Sequence, residues 1–328
     1  MDHLPLTPPD VDRAVEILSR GGLVAFPTET VYGLGARADR PEAAARIFEA
    51  KRRPTFDPLI CHFPSADKAR SWARFDERAT RLAKAFWPGP LTLVLPRIHT
   101  SGAPRIPDIV TSGLDTVGVR VPDQPLALAL LSRLDFPVAA PSANPFGYVS
   151  PTTAAHVRDG LGDRVDLILD GGPCTVGVES TIVDLSRPTA RLLRPGGLPR
   201  EAIEAVLGQE LPWDGFRPPV AVEAPGMMES HYSPSVFVEV FEDVSRLSQR
   251  ARELGGDCAV LSASALDLPC RESIVLGSGP SMAVALFATL RRLDVPETGR
   301  ILALLPPPEG LGLAVRDRLF RAARSRIG

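Results

Sequence analysis

The chain carries, at residues 23–35, the stretch LVAFPTETVYGLG. A short apolar run that passes abruptly into a segment rich in polar groups and glycine indicates a buried strand followed by a loop, here residues 27–35. The same change recurs where the apolar residues 138–140 run into Pro141-Ser142-Ala143-Asn144-Pro145. Polar groups at strand ends are where α/β folds usually bind ligands. We therefore predict an α/β domain with loops of this kind at the ends of its strands.

The elements around this stretch do not follow a strict βαβ repeat. Thr7 is the expected N-cap of a first helix that ends at Gly21-Gly22. Helices are then expected near residues 41–51, 77–86, 125–134 and 152–161, and strands near 59–63, 92–95, 117–121, 138–140, 167–169, 182–185 and 191–194. Because strands outnumber helices, we predict an open, mixed and twisted sheet rather than a doubly wound one.

The pattern of residue types changes near residue 211, where prolines and glycines interrupt any hydrophobic periodicity. We interpret residues 211–235 as a linker stiffened by proline. Beyond it, strands expected at 236–241, 258–262, 274–276 and 301–305 alternate with helices at 244–254, 280–293 and 313–323. This alternation favours a parallel, Rossmann-like sheet. The predicted organisation is a first domain (residues 1–210), a linker or lid (211–235) and a smaller C-terminal domain (236–328).

Composition sets limits on the class of protein. The length of 328 residues exceeds the size at which one core usually keeps growing, in agreement with two domains. The formal net charge of -2 excludes a strong overall attraction for nucleic acid, although it allows a local basic cleft. The four cysteines form no C-x-x-C pair, and no apolar run reaches about 18 residues, so we expect neither a zinc knuckle nor a membrane span. The first ten residues lack the features of an export signal, and we expect a cytoplasmic protein.

Familiar signatures of nucleotide binding and of covalent catalysis are missing. The chain has no G-x-x-x-x-G-K-[ST] loop, and its five histidines include no i, i+4 pair for a metal ion. No Ser-His-Asp or Cys-His set can be assigned from spacing. Gly277-Ser278-Gly279 precedes a predicted helix, where it either forms a tight turn or binds an anion.

Three polar clusters stand out instead, each with two interpretations. Lys51-Arg52-Arg53-Pro54 follows a helix, where cations are favoured in any case, or it clamps phosphate groups. Residues 141–145 form a simple turn or a ligand-binding strand end, and residues 178–184 (VESTIVD) form an ordinary polar edge or a hydroxyl site. His62 ends an apolar strand, and its sequence context alone favours a core or strand-end histidine. These residues predict a cleft with phosphate-like and hydroxyl contacts, but they do not name its substrate.

Taken together, these segments resemble the threonylcarbamoyl-AMP synthase family in its longer form with a C-terminal domain. The matching stretches are residues 27–34 (PTETVYGL), Lys51-x-Arg53-Pro54 in a segment that ends in Pro58-Leu59-Ile60-x-His62, residues 87–92 (WPGPLT), 119–122 (VRVP), 140–144 (APSAN), 179–181 (EST), 194–196 (RPG), 225–227 (PGM) and 231–234 (HYSP). The C-terminal domain is matched by Leu286-Phe287, Leu293-Asp294 and Asp317-Arg318-Leu319. Each segment is moderately specific alone, and all of them in this order are very specific.

The resemblance implies an open, twisted YrdC-like sheet with a concave, positively charged cavity. It implies synthesis of L-threonylcarbamoyl-AMP from L-threonine, bicarbonate or CO2 and ATP, with Mg2+ and with release of pyrophosphate. The product would pass to a tRNA threonylcarbamoyl-transferase complex that modifies the adenosine immediately 3′ of the anticodon. No covalent nucleophile is needed, so the protein would act by positioning, in which Lys51 and Arg53 take part.

The resemblance also implies roles for residues at matching positions. Threonine would be surrounded by Thr30, His62, Arg120, Ala140 and Ser180, with Arg120 facing its carboxylate. ATP would contact Lys51, Arg53, Asp57, Thr116, Ser142, Ser150, Arg194 and, from the linker, Tyr232. The linker would then act as a lid over the nucleotide, and Mg2+ would be held mainly by the ATP phosphates.

The chain departs from the family's usual pattern at three places. Arg52 stands where glycine is usual, and Asp57 stands where asparagine is usual. Met228-Glu229-Ser230 replaces a linker segment that is often basic and aromatic. A carboxylate such as that of Asp57 would repel triphosphate oxygens unless Mg2+ or an arginine lies between them.

Other functions fit parts of the same pattern. A carbamoyl-transferring maturation protein for hydrogenases carries a related domain, but it would need an acylphosphatase-like segment and zinc-finger cysteines that this sequence lacks. A non-catalytic RNA-binding protein could use the concave basic face, but the acidic balance and the lack of interleaved basic and aromatic residues argue against it. A regulator bound at residues 277–280 is a third alternative, for the C-terminal domain alone.

Overall fold

Two β-sheets organise the chain in the computed structural model, which describes residues 8–98, 105–215 and 232–324. Within these ranges the first sheet has nine strands: β1 (Val24–Phe26), β2 (Gly33–Arg37), β3 (Ile60–His62), β4 (Leu91–Pro96), β5 (Thr116–Arg120), β6 (Val138–Ala139), β7 (Leu167–Ile168), β8 (Thr181–Asp184) and β9 (Arg191–Arg194). Their order is β7-β1-β2-β6-β3-β5-β4-β8-β9, with parallel and antiparallel pairs. The predicted open mixed sheet is confirmed.

Helices connect these strands, and local capping sets several of their ends. The described helices of this part are α1 (Pro8–Ser19), α2 (Pro41–Lys51), α3 (Ala66–Arg70), α4 (Glu77–Phe86), α5 (Asp108–Thr111), α6 (Pro125–Leu131), α7 (Ala154–Leu161) and α8 (Arg200–Leu207). Helix α7 begins two residues later than residue 152 because Thr153 is its N-cap and accepts a hydrogen bond from the backbone N–H of His156. Asp76 caps α4 in the same way. Thr7, the N-cap expected for α1, lies outside the described residues.

The second sheet is parallel throughout, as its strand-helix alternation predicts. Its strands are β10 (Phe237–Phe241), β11 (Ala259–Ser262), β12 (Glu272–Val275) and β13 (Arg300–Leu304), and its helices are α9 (Val244–Glu253), α10 (Pro280–Arg292) and α11 (Leu311–Arg324). The strand order is β10-β13-β11-β12, and every pair in it is parallel. We refer below to residues 8–207 as the N-terminal unit and to residues 237–324 as the C-terminal unit.

The glycine-rich end of the opening stretch is a strand, which corrects the prediction of a loop over residues 27–35. Gly33 and Gly35 belong to β2, which pairs antiparallel with β1 through Phe26 and Val24. A Cβ atom on Gly35 would lie 2.8 Å from the ring of Phe26 and 2.9 Å from the side chain of Val138. Glycine is therefore used here for close packing between neighbouring strands and not for a turn.

One hydrophobic core joins the two units. Val31, Val149 and Val178 of the N-terminal unit are buried in the same cluster as Leu286 and Phe287 of the C-terminal unit. The C-terminal unit is therefore packed directly against connecting segments of the N-terminal unit that carry Val31, Val149 and Val178. Among the described helices, none has the length and apolar character needed to cross a bilayer.

Candidate functional site

A cavity that is partly open to solvent lies where the polar loops of the first sheet converge. Its wall is formed by Thr30, Val31, Arg53, Ile60, His62, Arg120, Ala140, Pro141, Ser142, Glu179, Ser180, Arg194 and Tyr232. The sheet brings these residues together because β3 and β5 are parallel and in register, so that His62 lies beside Arg120. The loop after β6 and the residues before β8 complete the wall. Nine of the thirteen predicted site residues line this cavity: Thr30, Arg53, His62, Arg120, Ala140, Ser142, Ser180, Arg194 and Tyr232.

A buried ion pair lies on one side of the cavity. The Nη2 atom of Arg120 donates to Oε1 of Glu29 at 2.6 Å, and both side chains are almost fully buried. Within the described residues, Nε of Arg120 and Oε2 of Glu29 have no hydrogen-bond partner. Beside this pair, the hydroxyls of Thr28 and Thr30 are 2.7 Å apart. This side therefore offers a guanidinium edge and hydroxyl groups, which suits a small molecule with a carboxylate.

His62 faces the same side as a neutral imidazole. Its Nδ1 donates to the backbone carbonyl of Ile60 at 3.2 Å, and its ring meets Phe26 edge-on. Burial, with a smaller contribution from the charge of Arg120, lowers the pKa of His62 to about 3. The imidazole therefore contributes shape and hydrogen bonding to the cavity at neutral pH, and not charge.

Two buried arginines lie on the other side. Arg53 donates through Nε to the carbonyl of Asp57 at 3.1 Å and through Nη2 to the carbonyl of Pro58 at 3.0 Å. Arg194 donates through Nη2 to the carbonyl of Ser180 at 2.9 Å. Arginine stays charged in proteins, so these side chains bring two fixed positive charges to one cavity wall. Such a pair suits phosphate oxygens.

The carboxylate of Asp57 is neutralised by one of these arginines. Its Oδ2 atom lies 2.8 Å from Nη2 of Arg53, and the side chain is fully buried. Burial raises the pKa of Asp57, while the charges of Arg53 and Lys51 act in the opposite direction. An arginine thus intervenes between this carboxylate and the cavity, which is the condition under which an aspartate is tolerated at this position.

The four predicted ATP residues that do not line the cavity have other environments. Lys51 is buried and donates through Nζ to the carbonyls of Ser142 (2.6 Å) and Asn144, so it holds the loop that carries Ser142. Burial lowers the pKa of Lys51 well below its usual value. Thr116 lines a smaller adjoining cavity that shares Ile60 with the main one. Asp57 is held by Arg53, and Ser150 is bonded to Glu179 as described next.

Glu179 is a cavity residue to which the sequence assigned no role, although it stands in the quoted segment 179–181. Its Oε1 accepts a hydrogen bond from Ser150 at 2.5 Å, and its Oε2 accepts from Nε of Arg318 at 2.7 Å. Burial alone would raise the pKa of Glu179, but the charges of Arg318 and Arg194 outweigh it and lower the pKa. Glu29 was missed in the same way, inside segment 27–34. The only feature of the sequence that pointed to these two carboxylates was their position within segments 27–34 and 179–181, which match the family.

Gly196, in the segment 194–196, packs closely against a neighbouring backbone segment and so helps to place Arg194 at the cavity. A Cβ atom on Gly196 would lie 2.3 Å from the carbonyl oxygen of Glu179 and 2.4 Å from the backbone of Ser180 and Thr181. No other residue fits so close to that backbone. Gly196 thus allows β9 and the residues before β8 to approach, which places Arg194 against Ser180.

Tyr232 closes the cavity from the end of the linker. It is fully buried, its ring stacks on Phe287 at a centroid distance of 5.5 Å, and burial raises the pKa of its hydroxyl to about 12. The other linker residues of the resemblance, residues 225–227, the divergent Met228-Glu229-Ser230 and His231, lie outside the described residues. In the described ranges, no group of three or more His, Cys, Asp or Glu side chains is placed to hold a metal ion.

Comparisons with known proteins give matches over nearly the whole chain. Residues 16–196 match the Sua5, YciO and YrdC family, described as telomere recombination, and residues 198–324 match a family described as threonylcarbamoyl-AMP synthase, C-terminal domain. The chain is 42% identical to the threonylcarbamoyl-AMP synthase of Pyrococcus abyssi, covering 96% of this chain and 94% of that protein. It is 38% identical to that of Bacillus subtilis, covering 99% and 96%.

Solved structures show the same likeness. The crystal structure of P. abyssi Sua5 complexed with L-threonine is similar over 96% of this chain and 94% of that one, with a TM-score of 0.87 and 42% identity. Full-length HypF in its phosphate- and nucleotide-bound form is similar in fold over 60% of this chain and only 30% of its own, with a TM-score of 0.51 and 19% identity.

Proposed function

The chain belongs to the threonylcarbamoyl-AMP synthase family, an enzyme family of nucleotidyl transfer, and from that membership we propose that it makes L-threonylcarbamoyl-AMP for modification of tRNA. The substrates are L-threonine, bicarbonate or CO2, and ATP, and the second product is pyrophosphate. The family match over nearly the whole chain does not favour the alternative of a non-catalytic RNA-binding protein.

One observation supports this proposal most strongly. A single cavity has a guanidinium and hydroxyl groups on one side, at Arg120 and Thr30, and two buried guanidiniums on the other, at Arg53 and Arg194. We assign threonine to the first side and the triphosphate to the second. Tyr232 would cover the nucleotide, and the remaining linker residues would complete a lid.

The reaction follows from this placement. The amine of threonine takes up CO2 and loses a proton, which gives a carbamate. A carbamate oxygen then attacks the α-phosphorus of ATP, and pyrophosphate leaves. The positive charges of Arg53 and Arg194 stabilise the charge that develops on the phosphates, and a closed cavity protects the carbamate from water. Mg2+ would be held mainly by the ATP phosphates, as is usual for nucleotide-bound Mg2+.

The partners and the location are part of the same proposal. The product would pass to a downstream tRNA threonylcarbamoyl-transferase complex, and we expect the protein to work in the cytoplasm. We also propose the division into a catalytic domain (residues 1–210), a lid (211–235) and a C-terminal domain (236–328).

The test is a pyrophosphate-release assay with ATP, Mg2+, L-threonine and bicarbonate, each omitted in turn. Release should require threonine and bicarbonate together. Release that proceeds equally without either of them would indicate simple ATP hydrolysis and would contradict the proposal. Replacing L-threonine with L-valine, which has the same shape without the hydroxyl, is the matched substrate control.

A further inference from the structure

Arg318 is a fully buried arginine of the C-terminal unit whose guanidinium reaches into the N-terminal unit. It lies on α11 and donates through Nε to Oε2 of Glu179 at 2.7 Å. It also donates through Nη1 to Asp317 at 2.6 Å, and Asp317 accepts in turn from Arg321 at 3.0 Å. Removing a guanidinium from water is costly, and two carboxylates offset that cost here.

Both groups that Arg318 contacts outside the C-terminal unit, Glu179 and Tyr232, belong to the cavity wall. Glu179 lines the cavity, and its other oxygen accepts from Ser150, so Arg318 and Ser150 together fix the orientation of this carboxylate. The guanidinium carbon of Arg318 also lies 5.0 Å from the ring centroid of Tyr232, a cation–π distance. The stacking of Phe287 on Tyr232 adds a second contact from the C-terminal unit.

A second arginine of the C-terminal unit holds the neighbouring part of the wall. Arg291, on α10, donates to the backbone carbonyl of Ser150 at 3.3 Å and to that of Val149. Its guanidinium lies 4.9 Å from the ring centroid of Tyr148, whose hydroxyl donates to Asp294 at 2.7 Å. The loop that ends at Ser150 is thus bound to the C-terminal unit through both its backbone and a side chain.

The charge of Glu179 makes this arrangement more than a contact between units. A carboxylate on the wall of a cavity that receives a triphosphate would repel it unless cations neutralise the carboxylate. Arg194 also supports the charged form of Glu179, but the direct hydrogen bond to a carboxylate oxygen comes from Arg318. Loss of Arg318 would leave only Arg194 and the hydroxyl of Ser150 to offset the buried negative charge of Glu179 on the phosphate side.

We propose that Arg318 is a positioning residue for ATP, through which the C-terminal unit orients and neutralises Glu179 and supports Tyr232. This inference rests on the function proposed above. It gives the segment Asp317-Arg318-Leu319 a role in the reaction, although it lies in the unit that does not carry the cavity. Arg318 itself contacts no substrate in this account.

The test compares steady-state kinetics of pyrophosphate release in three variants of the full chain. Arg318→Gln should raise the KM for ATP by about tenfold or more, because a buried charge loses its partner, while the KM for threonine changes less than threefold. Arg318→Lys should recover part of this loss, since it keeps the charge without the planar fork. Glu179→Gln combined with Arg318→Gln should bind ATP better than Arg318→Gln alone, because the repelling charge is also removed.

Arg316→Gln is the matched control on the same helix. Arg316 is also buried, but its bonds go to the carbonyl of Pro306 and to Glu242, both within the C-terminal unit. This variant should leave the KM for ATP within about twofold of the wild type, even if it lowers thermal stability to the same degree. Equal effects of Arg316→Gln and Arg318→Gln on that KM, or an unchanged KM in Arg318→Gln, would overturn the inference. A wild-type protein that needs no threonine would instead overturn the proposed function.

Discussion

Arg120 is the side chain through which we expect the protein to recognise the carboxylate of its amino-acid substrate. One edge of its guanidinium is taken by Glu29, and its buried Nε has no hydrogen-bond partner among the described residues. Burying a donor without a partner is unfavourable, so this group is poised for a ligand. Glu29 thus fixes the orientation of Arg120 without occupying all of its donors.

We predict that Arg120→Lys raises the KM for threonine by roughly ten- to a hundred-fold, the equivalent of one charge-assisted hydrogen bond. The KM for ATP should change much less. Arg97→Lys is the control, because Arg97 is equally buried but bonds to Asp108 and Thr111, neither of which lines the main cavity. An unchanged threonine KM in Arg120→Lys, measured by pyrophosphate release, would remove Arg120 from the threonine side.

The phosphate side gives a second prediction. Arg53→Ala and Arg194→Ala should each slow turnover by about ten- to a hundred-fold, because each removes a charged donor from the developing phosphate charge. Near-normal pyrophosphate release in either variant would count against its role. Arg191→Ala serves as the control, since Arg191 lies on the same strand as Arg194 but pairs with Asp184.

His62 gives a prediction about pH and stability. Its pKa is about 3 in the folded protein and near 6.5 when it is exposed, so the unfolded chain binds a proton in this interval and the folded chain does not. The contribution of the neutral imidazole to the free energy of unfolding is therefore fully present above pH 6.5, and it is lost as the pH falls toward 3. Between these values the free energy of unfolding of His62→Gln should decrease less steeply than that of the wild type in denaturant titrations. Parallel curves would show that His62 does not have this low pKa.

The segments that resemble the family predicted most of the side chains that line the cavity. They did not predict the hydrogen-bond partners of those side chains. Lys51 is predicted to contact ATP, and its hydrogen bonds to the carbonyls of Ser142 and Asn144 could not be predicted. Backbone carbonyls have no sequence signature, so such a partner cannot be read from residue types. Glu179 was likewise assigned no role because its partner, Arg318, lies 139 positions away.

At the scale of elements, the end of α2 explains one departure from the family pattern. Arg52 is the C-cap of this helix and has a left-handed backbone, with φ 53° and ψ 42°. Such a conformation strains every residue with a Cβ atom and favours glycine, which is the usual family residue there. The side chain of Arg52 is exposed and does not line the cavity.

We therefore predict that Arg52→Gly stabilises the protein by about 0.5–1 kcal/mol, because it relieves the left-handed strain at a modest entropic cost. Arg52→Ala, which keeps the Cβ atom, should give no such gain and is the control. The free energy of unfolding in urea measures both. A loss of stability in Arg52→Gly would mean that the exposed guanidinium makes a contact worth more than the strain.

Periodic elements could be predicted from the sequence, and close-packed or short ones could not. The bounds of α2 and α4 were predicted at both ends, since proline and aspartate start these helices and apolar spacing runs through them. The five-residue α3 and four-residue α5 contain too little periodic pattern to detect. Strand β2 was taken for a loop because its glycines, which normally punctuate turns, serve packing here.

At the scale of the whole molecule, the two units are fitted together at a glycine next to the cavity. Gly177 has φ +78°, and a Cβ atom on it would lie 2.4 Å from the Cα of Val284 in α10. The backbones of the two units thus lie so close together that only glycine, which has no Cβ atom, fits at this position. Two residues further on, Glu179 makes its bond to Arg318.

Gly177→Ala should therefore separate the units locally, lowering the free energy of unfolding by about 3 kcal/mol and raising the KM for ATP. Gly208→Ala is the matched control, because Gly208 has a similar φ of +70° but open space around its Cα. It should show only the left-handed strain, about 1 kcal/mol, with an unchanged KM. Equal effects of the two substitutions would show that the approach of α10 contributes nothing.

We expect threonine and ATP to occupy one cavity, where the amine of threonine and the α-phosphate of ATP become linked through CO2. Mass spectrometry of the nucleotide formed from isotopically labelled bicarbonate, unlabelled threonine and ATP tests this directly. A threonylcarbamoyl-AMP that carries the bicarbonate carbon should form in an amount equal to the pyrophosphate released. Conversion of ATP without any labelled threonine adduct would contradict it.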